Sequence, residues 1–442
     1  MIGARVRAAA SRCAARYGLF ASVALVACGG DSSPREAASG TNVSTGPAPN
    51  AAASDTIAPS LRGGPGASPG ESASAKETSA PSPLDGFRAD LLALTRGERR
   101  DHVRILVFGD SHTAADLWTG SIRKALQTRF GDGGPGFFHV GMAGARHDSM
   151  KPSQDGRTET LPKQPSTVER TGDGILGLGG VLVQPKSKPV TVLIAPRAAI
   201  AASLRWELCV RPGSKTSRVV LTPRGGAPVI RSFVKGDDKK VTVDRLSTVT
   251  HDPHEIEVRI EGDAALCGAI AETEASKKPG VVLDALGING ARVATVLARD
   301  EAAFIEDVRR RSPSLVMIEF GGNEAAEDGG DIDAFAEDLT KLVLRVRKAA
   351  PTAGCLVVGP TEQIARPART LAVSRAFAER AATLGCAFWD AQEKLGGPGA
   401  MKKMMDEYPP RAHADGIHLL ERGYRDMAKL TVDDLLRGVP PD

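Results

Sequence analysis

The chain has 442 residues, 41% hydrophobic and 25% charged, with a net charge of +4. That length and composition can bury a large core. A charge excess this small, with no long basic stretch interleaved with aromatics, points away from a nucleic-acid partner.

The first residues read as a targeting segment. Arg5, Arg7, Arg12 and Arg16 form a basic region, and Leu19 to Ala27 a short apolar one. The apolar run is too short to span a bilayer comfortably, and no later segment is apolar enough to do so. It ends in Leu25-Val26-Ala27-Cys28-Gly29, which resembles a bacterial lipobox. That resemblance makes residues 1–28 a lipoprotein signal and Cys28 the lipid-attachment residue. An ordinary secretory signal is the alternative, and both readings export the chain. Residues 29–83 are dominated by Ser, Ala, Gly, Pro and Thr and cannot bury enough surface to offset chain entropy. They are expected to be a disordered tether.

Four cysteines follow the signal: Cys209, Cys267, Cys355 and Cys386. In an exported chain an even number permits disulfides. Cys209–Cys267 and Cys355–Cys386 is the expected pairing, because each pair falls within one predicted region. No Cys-x-x-Cys spacing exists, so a structural zinc site is not expected.

Leu84 to Leu94 predicts a short helix. Val103 to Phe108 is an apolar run of strand type, followed by Gly109-Asp110-Ser111-His112-Thr113. Ala114 to Phe130 predicts one helix, with Leu117, Trp118, Ile122, Leu126 and Phe130 at helical spacing. Ser111 therefore lies on a strand-to-helix turn, where open α/β folds place their sites. Asp110, Ser111 and Thr113 are also good helix caps, so the turn alone leaves capping open. The glycine-rich Gly131 to Phe138 lacks the Gly-Lys-Ser/Thr ending of a phosphate loop and reads as a structural turn.

From about 142 to 280 the texture changes. Short β-type runs recur at Val190–Leu193, Leu204–Val210, Arg218–Leu221, Val229–Val234, Lys240–Val243 and Glu255–Ile260, broken by Pro, Gly, Asp and Ser. This pattern predicts a β-sandwich domain inserted into an α/β body. Alternation resumes with a strand from Val281 to Leu286, the turn Gly287-Ile288-Asn289-Gly290, and a helix from Ala291 to Arg310. A strand from Ser314 to Phe320 ends at Gly321-Gly322-Asn323-Glu324. Helices at 332–348 and 365–384 alternate with strands at 355–358 and 386–389. His413-Ala414-Asp415-Gly416-Ile417-His418 precedes a terminal helix through Leu436.

These polar turns would gather at one edge of a parallel sheet and supply what acyl transfer needs. Ser111 is the candidate nucleophile, His418 its base, and Asp415 the group that holds the imidazole. The Ser111 backbone N–H, a glycine N–H of the Gly287–Gly290 turn and the Asn323 amide are candidate oxyanion donors.

With these residues in place the chain resembles the SGNH (GDSL-like) hydrolases, named for Ser, Gly, Asn and His in separate blocks. Gly109-Asp110-Ser111-His112 matches the first block, Gly287-Ile288-Asn289-Gly290-Ala291 the second, Gly322-Asn323-Glu324 the third, and Asp415-Gly416-Ile417-His418 the last. The resemblance implies a three-layer, flavodoxin-like fold with a parallel sheet, in two parts, 84–141 and 281–442, around the insert at 142–280. It favours Gly290 over Gly287 as oxyanion donor, and it implies catalysis with no metal or cofactor. Ser111-His112-Thr113 and Asn323-Glu324 depart from the common Ser-Leu and Asn-Asp forms. Both departures resemble exported bacterial enzymes that act on O-acetylated polysaccharides, with a β-rich, carbohydrate-binding-like module after the first block.

The implied function is a serine esterase that removes acetyl groups from an envelope polysaccharide, peptidoglycan first, from a lipid anchor facing the periplasm or cell surface. Three alternatives stand beside it. The same triad could pass acetyl groups to a glycan acceptor. Asp110, His112, Asn323, Glu324, Asp415 and His418 could form a two-metal phosphoesterase cluster, although an upstream Asp-x-His is missing and Gly-Gly-Asn-Glu lacks the histidine such sites use. The chain could also be a non-catalytic glycan-binding lipoprotein. His112 is read as structural, His413 as a loop residue, and Glu324 as a hydrogen-bonding organiser of the Asn323 turn.

Overall fold

The Val103–Gly109 strand is buried except at Arg104 and sends alternate side chains to opposite faces. Ile105 and Val107 enter one apolar core, and Leu106 and Phe108 another. A strand buried on both faces belongs inside a parallel sheet covered by helices on each side. That is what the computed structural model of the protein shows. It describes residues 82–186, 189–240 and 242–441. The expected signal, Cys28 and nearly all of the expected tether lie outside the described residues.

Five parallel strands form the central sheet, in the order Val281–Gly287, Val103–Gly109, Leu315–Glu319, Gly354–Val358, Ala387–Trp389. Helices Glu301–Arg311, Ile332–Ala349 and Pro367–Thr383 cover the Leu106/Phe108 face. Helices Asp85–Thr95, Trp118–Phe130 and Glu421–Leu435 cover the other. Because Val103–Gly109 is flanked by the two strands that follow it in the sheet, its carboxyl end is a switch point of strand order. A crevice opens at such a point.

Residues between 136 and 273 supply two antiparallel sheets. The six-stranded one runs Asp244–Thr250, Leu204–Arg211, Ala265–Thr273, Leu182–Pro185, Thr158–Leu161, with Gly136–Phe138 pairing against Ala265–Thr273. The five-stranded one runs Met150–Asp155, Val190–Pro196, Ile256–Glu261, Ser217–Pro223, Val229–Phe233. Their inner faces share one core built on Val192, Trp206, Leu208, Phe233 and Val258. A charged seam joins this stretch to the parallel sheet. Asp284 accepts from the Phe137 N–H at 2.8 Å and from Arg311 at 2.7 Å, and Arg311 also meets Glu272 at 2.6 Å. Opposing charges that share a buried seam satisfy one another's hydrogen-bonding needs where water is scarce. The described residues form a single compact unit.

The structure corrects the expected elements in four places. The helix expected from Ala114 to Phe130 is two helices, Ser111–Ala114 and Trp118–Phe130. Asp116 breaks it with φ +48, a left-handed conformation that its buried carboxylate makes tolerable. The helix expected from Ala291 to Arg310 is likewise divided into Val293–Leu297 and Glu301–Arg311, the second capped by the Asp300 side chain. The turn expected through Phe138 ends in a short strand, Gly136–Phe138. Lys240–Val243, expected as a strand, precedes the strand Asp244–Thr250, whose register against Leu204–Arg211 begins at Asp244 opposite Val210. Met150–Asp155 escaped the sequence pattern because all but its first residue are exposed. Its pairing with Val190–Pro196, rather than its own hydrophobicity, makes it a strand.

Among the described residues two disulfides are present, Cys209–Cys267 between neighbouring antiparallel strands and Cys355–Cys386 where two adjacent parallel strands begin.

The corner after Ser111 is held by a buried ion pair. Arg123 bonds Asp116 through both terminal nitrogens, at 3.1 and 2.9 Å, and reaches the Leu283 carbonyl at 3.2 Å. Asp116 also accepts from Thr119 at 2.6 Å and the Asp148 N–H at 2.7 Å. Burial raises the Asp116 carboxyl, but Arg123, His147 and the Thr119 hydroxyl outweigh it and hold its pKa below the ordinary carboxylate value. Replacing Arg123 by Ala would leave a buried carboxylate without its counter-charge. Urea denaturation of Arg123→Ala should show a stability loss of about 3–5 kcal/mol; a loss near zero would contradict this account.

Candidate active site

The Gly109-Asp110-Ser111 turn closes the central strand, and Asp110 caps the short helix by accepting the His112 N–H at 2.9 Å. Far away in sequence but adjacent in the sheet, Gly287 lies in register with Gly109. A Cβ on Gly287 would stand 2.2 Å from the Ala114 nitrogen, so only glycine lets the second turn approach the short helix that begins at Ser111 this closely. Gly290, at φ +76, then turns the chain into Ala291.

Ser111, His418 and Asp415 form a continuous chain. Ser111 Oγ lies 2.8 Å from His418 Nε2, and His418 Nδ1 lies 2.8 Å from Asp415 Oδ2. The other Asp415 oxygen accepts the Ile417 and His418 N–H groups, each at 2.9 Å. Burial raises the Asp415 carboxyl, but these backbone donors and the His418 ring outweigh it and bring its pKa down to about 2. Asp415 is therefore an anion whenever His418 must carry a proton. The loop holding the pair is pinned by a main-chain bond from His413 to His418 at 2.8 Å. His413 Nδ1 also lies 3.2 Å from Asp415 Oδ2, so the carboxylate faces two histidines, of which His418 alone reaches Ser111. Both His418 and Asp415 keep more than a third of their side-chain surface exposed, so the site is open.

Among the described residues, neither the Ser111 nor the Gly290 backbone N–H has an intramolecular acceptor. Both are available to an oxyanion. Asn323 differs from the simplest expectation. Its Nδ2 donates to the Ala291 carbonyl at 3.0 Å and to Asp110 Oδ2 at 3.2 Å, which uses both amide hydrogens. In this state Asn323 is a bridge between the Ser111 turn and the Gly290–Ala291 turn. To donate to an oxyanion it must release one of these acceptors.

Two further carboxyls lie beneath the site. Glu324 accepts the Val293 N–H at 2.8 Å and the Gly321 N–H at 3.0 Å, and so ties the Asn323 turn to the helix after Gly290. Burial pushes its pKa up to about 7 against those donors. Glu319, missed by sequence reasoning because it sits inside an apolar strand, accepts from the Asp110 N–H at 3.2 Å and Thr113 Oγ1 at 2.9 Å. Burial and the neighbouring Asp110 charge raise its carboxyl well above the ordinary range.

His112 is buried behind His418, with ring centroids 5.2 Å apart. Its Nδ1 lies 2.9 Å from the Tyr424 hydroxyl and its Nε2 3.4 Å from Thr361 Oγ1. Burial, with the His418 charge, lowers its basicity, so a neutral ring backs the His418 imidazole. His139 and His147 line a cavity of about 40 Å³ beside Thr113, Ala114, Gly287 and Asn289, and burial holds both neutral, with pKa values brought down to about 4. A larger cleft, of about 250 Å³, is lined by Arg104, Arg205, Glu207, Arg245, Glu272 and Arg310, among others, and contains no residue of the triad. No cluster of three or more His, Cys, Asp or Glu arranged to hold a metal ion occurs among the described residues.

The raised Glu319 carboxyl has a signed consequence for stability. The folded chain keeps a proton there that the unfolded chain gives up above about 4.5. Stability from this group is full at low pH and declines as pH rises toward the folded-state value. Glu319→Gln keeps the shape, can accept from Asp110 and Thr113, and does not titrate. Thermal unfolding of wild type and Glu319→Gln should therefore diverge in favour of the variant as buffers move from mildly acidic to mildly alkaline. A difference independent of pH would show that Glu319 is ionised in the folded chain.

Residues 258–425 match the model of the GDSL-like lipase/acylhydrolase family. The match holds Gly290, Asn323, Asp415 and His418, and Ser111 lies ahead of it. A peptidoglycan O-acetylesterase structure is similar at 27% identity and a TM-score of 0.66, covering 81% of this chain and 96% of that one. An acetyl xylan esterase, AlAXEase, shares 15% identity at a TM-score of 0.30, over 36% of this chain and 83% of its own. A family two carbohydrate esterase from Cellvibrio japonicus shares 10% at 0.27, over 65% and 98%. No curated protein matches the chain. With the family match and the similarity to an O-acetylesterase set beside this geometry, the chain is a carboxylic ester hydrolase carrying a GDSL-like lipase/acylhydrolase domain.

Proposed function

We propose that the protein removes O-acetyl groups from an envelope polysaccharide, peptidoglycan first, through an acetyl-serine intermediate. The observation that carries this reading is the unbroken Ser111–His418–Asp415 chain at 2.8 and 2.8 Å. The similarity to a peptidoglycan O-acetylesterase over most of both chains supports the substrate. The exposure of His418 and Asp415 supports a polymeric one, because a glycan strand can reach the serine without threading a tunnel.

In this mechanism Ser111 Oγ attacks the acetyl carbonyl carbon while His418 Nε2 takes the hydroxyl proton. The carbonyl oxygen becomes an oxyanion held by the Ser111 and Gly290 N–H groups. Asn323 joins them by exchanging one of its present acceptors for the oxyanion. Asp415 stabilises the imidazolium. The bond from the acetyl carbon to the sugar oxygen then breaks, and His418 returns its proton to that oxygen. Water attacks the acetyl-serine as His418 takes a proton, and acetate leaves as Ser111 regains its own.

The β-rich stretch is read as an inserted β-sandwich module that helps bind glycan. Residues 1–28 are read as a lipoprotein signal, with Cys28 as the anchor that holds the enzyme at the cell envelope.

Ser111→Ala and His418→Ala should each lower acetate release from O-acetylated peptidoglycan by about 10,000-fold or more, with unchanged thermal unfolding. Near-wild-type turnover in either would sink the proposal. Acetyl transfer to an added glycan, in place of acetate release, would favour a transferase using the same triad.

A further inference from the structure

The loop at 162–181 leaves the antiparallel sheet between the strands Thr158–Leu161 and Leu182–Pro185. It is fastened along the segment that follows Gly290. Thr295 Oγ1 donates to the Ser166 carbonyl at 2.9 Å, and Arg170 meets Asp300 at 2.9 Å. The Asp300 N–H donates to the Gly174 carbonyl at 2.9 Å, and Arg299 to the Leu178 carbonyl at 3.0 Å. Anchors at both ends and in the middle leave this loop little freedom to swing away.

So held, Ser166 stands against the catalytic turn. A Cβ on Gly290 would lie 3.4 Å from Ser166 Oγ. Gly290 is close to the nucleophile turn, because the single Asn323 nitrogen reaches both Ala291 and Asp110, the residues next to Gly290 and Ser111. The Ser166 side chain is partly exposed, and its hydroxyl makes no hydrogen bond to the described residues. A hydroxyl in that place offers one donor and two acceptor positions to whatever occupies the site.

We propose that Ser166 is a substrate-positioning residue that hydrogen-bonds the sugar side of the ester, so that the loop at 162–181 forms one wall of the polysaccharide site. This rests on the acetylesterase reading above. The acyl side gives Ser166 nothing to recognise. An acetyl group presents only a methyl and a carbonyl oxygen, and the oxyanion donors take that oxygen. Sugar hydroxyl and acetamido groups are matched partners for a serine hydroxyl. The β-rich stretch thereby contributes directly to substrate choice at the serine.

The test compares wild type, Ser166→Ala, Ser166→Thr and Ser111→Ala on O-acetylated peptidoglycan, acetylated xylan and para-nitrophenyl acetate. Losing one hydrogen bond to a sugar should cut kcat/KM on the accepted polymer by about five- to tenfold relative to the nitrophenyl ester. The loss should fall mainly in KM, and Thr, which keeps the hydroxyl, should restore most of it. Equal losses on polymer and small ester would assign Ser166 a merely structural role and overturn the proposal. Polymer kinetics in Ser166→Ala indistinguishable from wild type would overturn it while leaving the esterase reading intact. Ser111-dependent cleavage of the small ester, with no acetate from either polymer in wild type, would overturn the polysaccharide reading and this proposal with it.

Discussion

The site depends on one buried residue, Asp110. One carboxylate oxygen accepts the His112 N–H and caps the short helix that presents Ser111. The other accepts from Asn323, which also holds the Ala291 carbonyl. Its backbone N–H donates to Glu319 in the neighbouring strand. Through this one residue the turns after three parallel strands are held at fixed separation. A nucleophile and its oxyanion donors must be positioned within a fraction of an ångström to act together, and a shared hydrogen-bonding hub achieves this better than three independent loops would.

The carboxyls around the site are set apart by their surroundings. Asp415 is partly exposed, accepts two backbone N–H groups and faces histidine, so it stays anionic. Glu319 and Glu324 are buried, and burial raises both. A second negative charge beneath Ser111, beside the Asp110 carboxylate, would oppose an oxyanion forming above it. Raising the Glu319 carboxyl disfavours that second charge and leaves Asp110 its hydrogen-bonding role. The neutral His112 ring behind His418 serves the same economy, since a second positive charge there would discourage His418 from taking the serine proton.

The antiparallel sheets occupy the chain between Ser111 and the rest of the candidate site, yet they are bound to the α/β body at several points. Asp284, Arg311 and Glu272 form the seam at one place, and the loop carrying Ser166 is fastened beside Gly290 at another. The second attachment brings residues of the β-rich stretch to the rim of the catalytic turn. The Cys209–Cys267 bridge closes a long loop within this stretch, a covalent restraint on its unfolded state.

Much of this was legible in the residues themselves. Strand and helix alternation, the polar turns at strand ends and the β texture between 142 and 280 follow from local composition and spacing, and a three-residue separation places Asp415 and His418 in one loop whatever surrounds them. Other features are not local. The break at Asp116 exists because Arg123 and the Asp148 N–H meet its carboxylate, and no pattern in the helix announces it. Met150–Asp155 is a strand only through its partner. Glu319 lies within an apolar strand and only the fold sets it against Asp110, and Ser166 carries no local signal and only the Thr295 bond holds its segment beside Gly290. Sequence by itself determined the chemical inventory and its order along the chain, because side-chain type and short-range periodicity are local properties. Only the tertiary contacts set which acceptors Asn323 holds, which carboxyls burial raises and which loop borders the serine, because distance and burial depend on contacts between residues far apart in the chain.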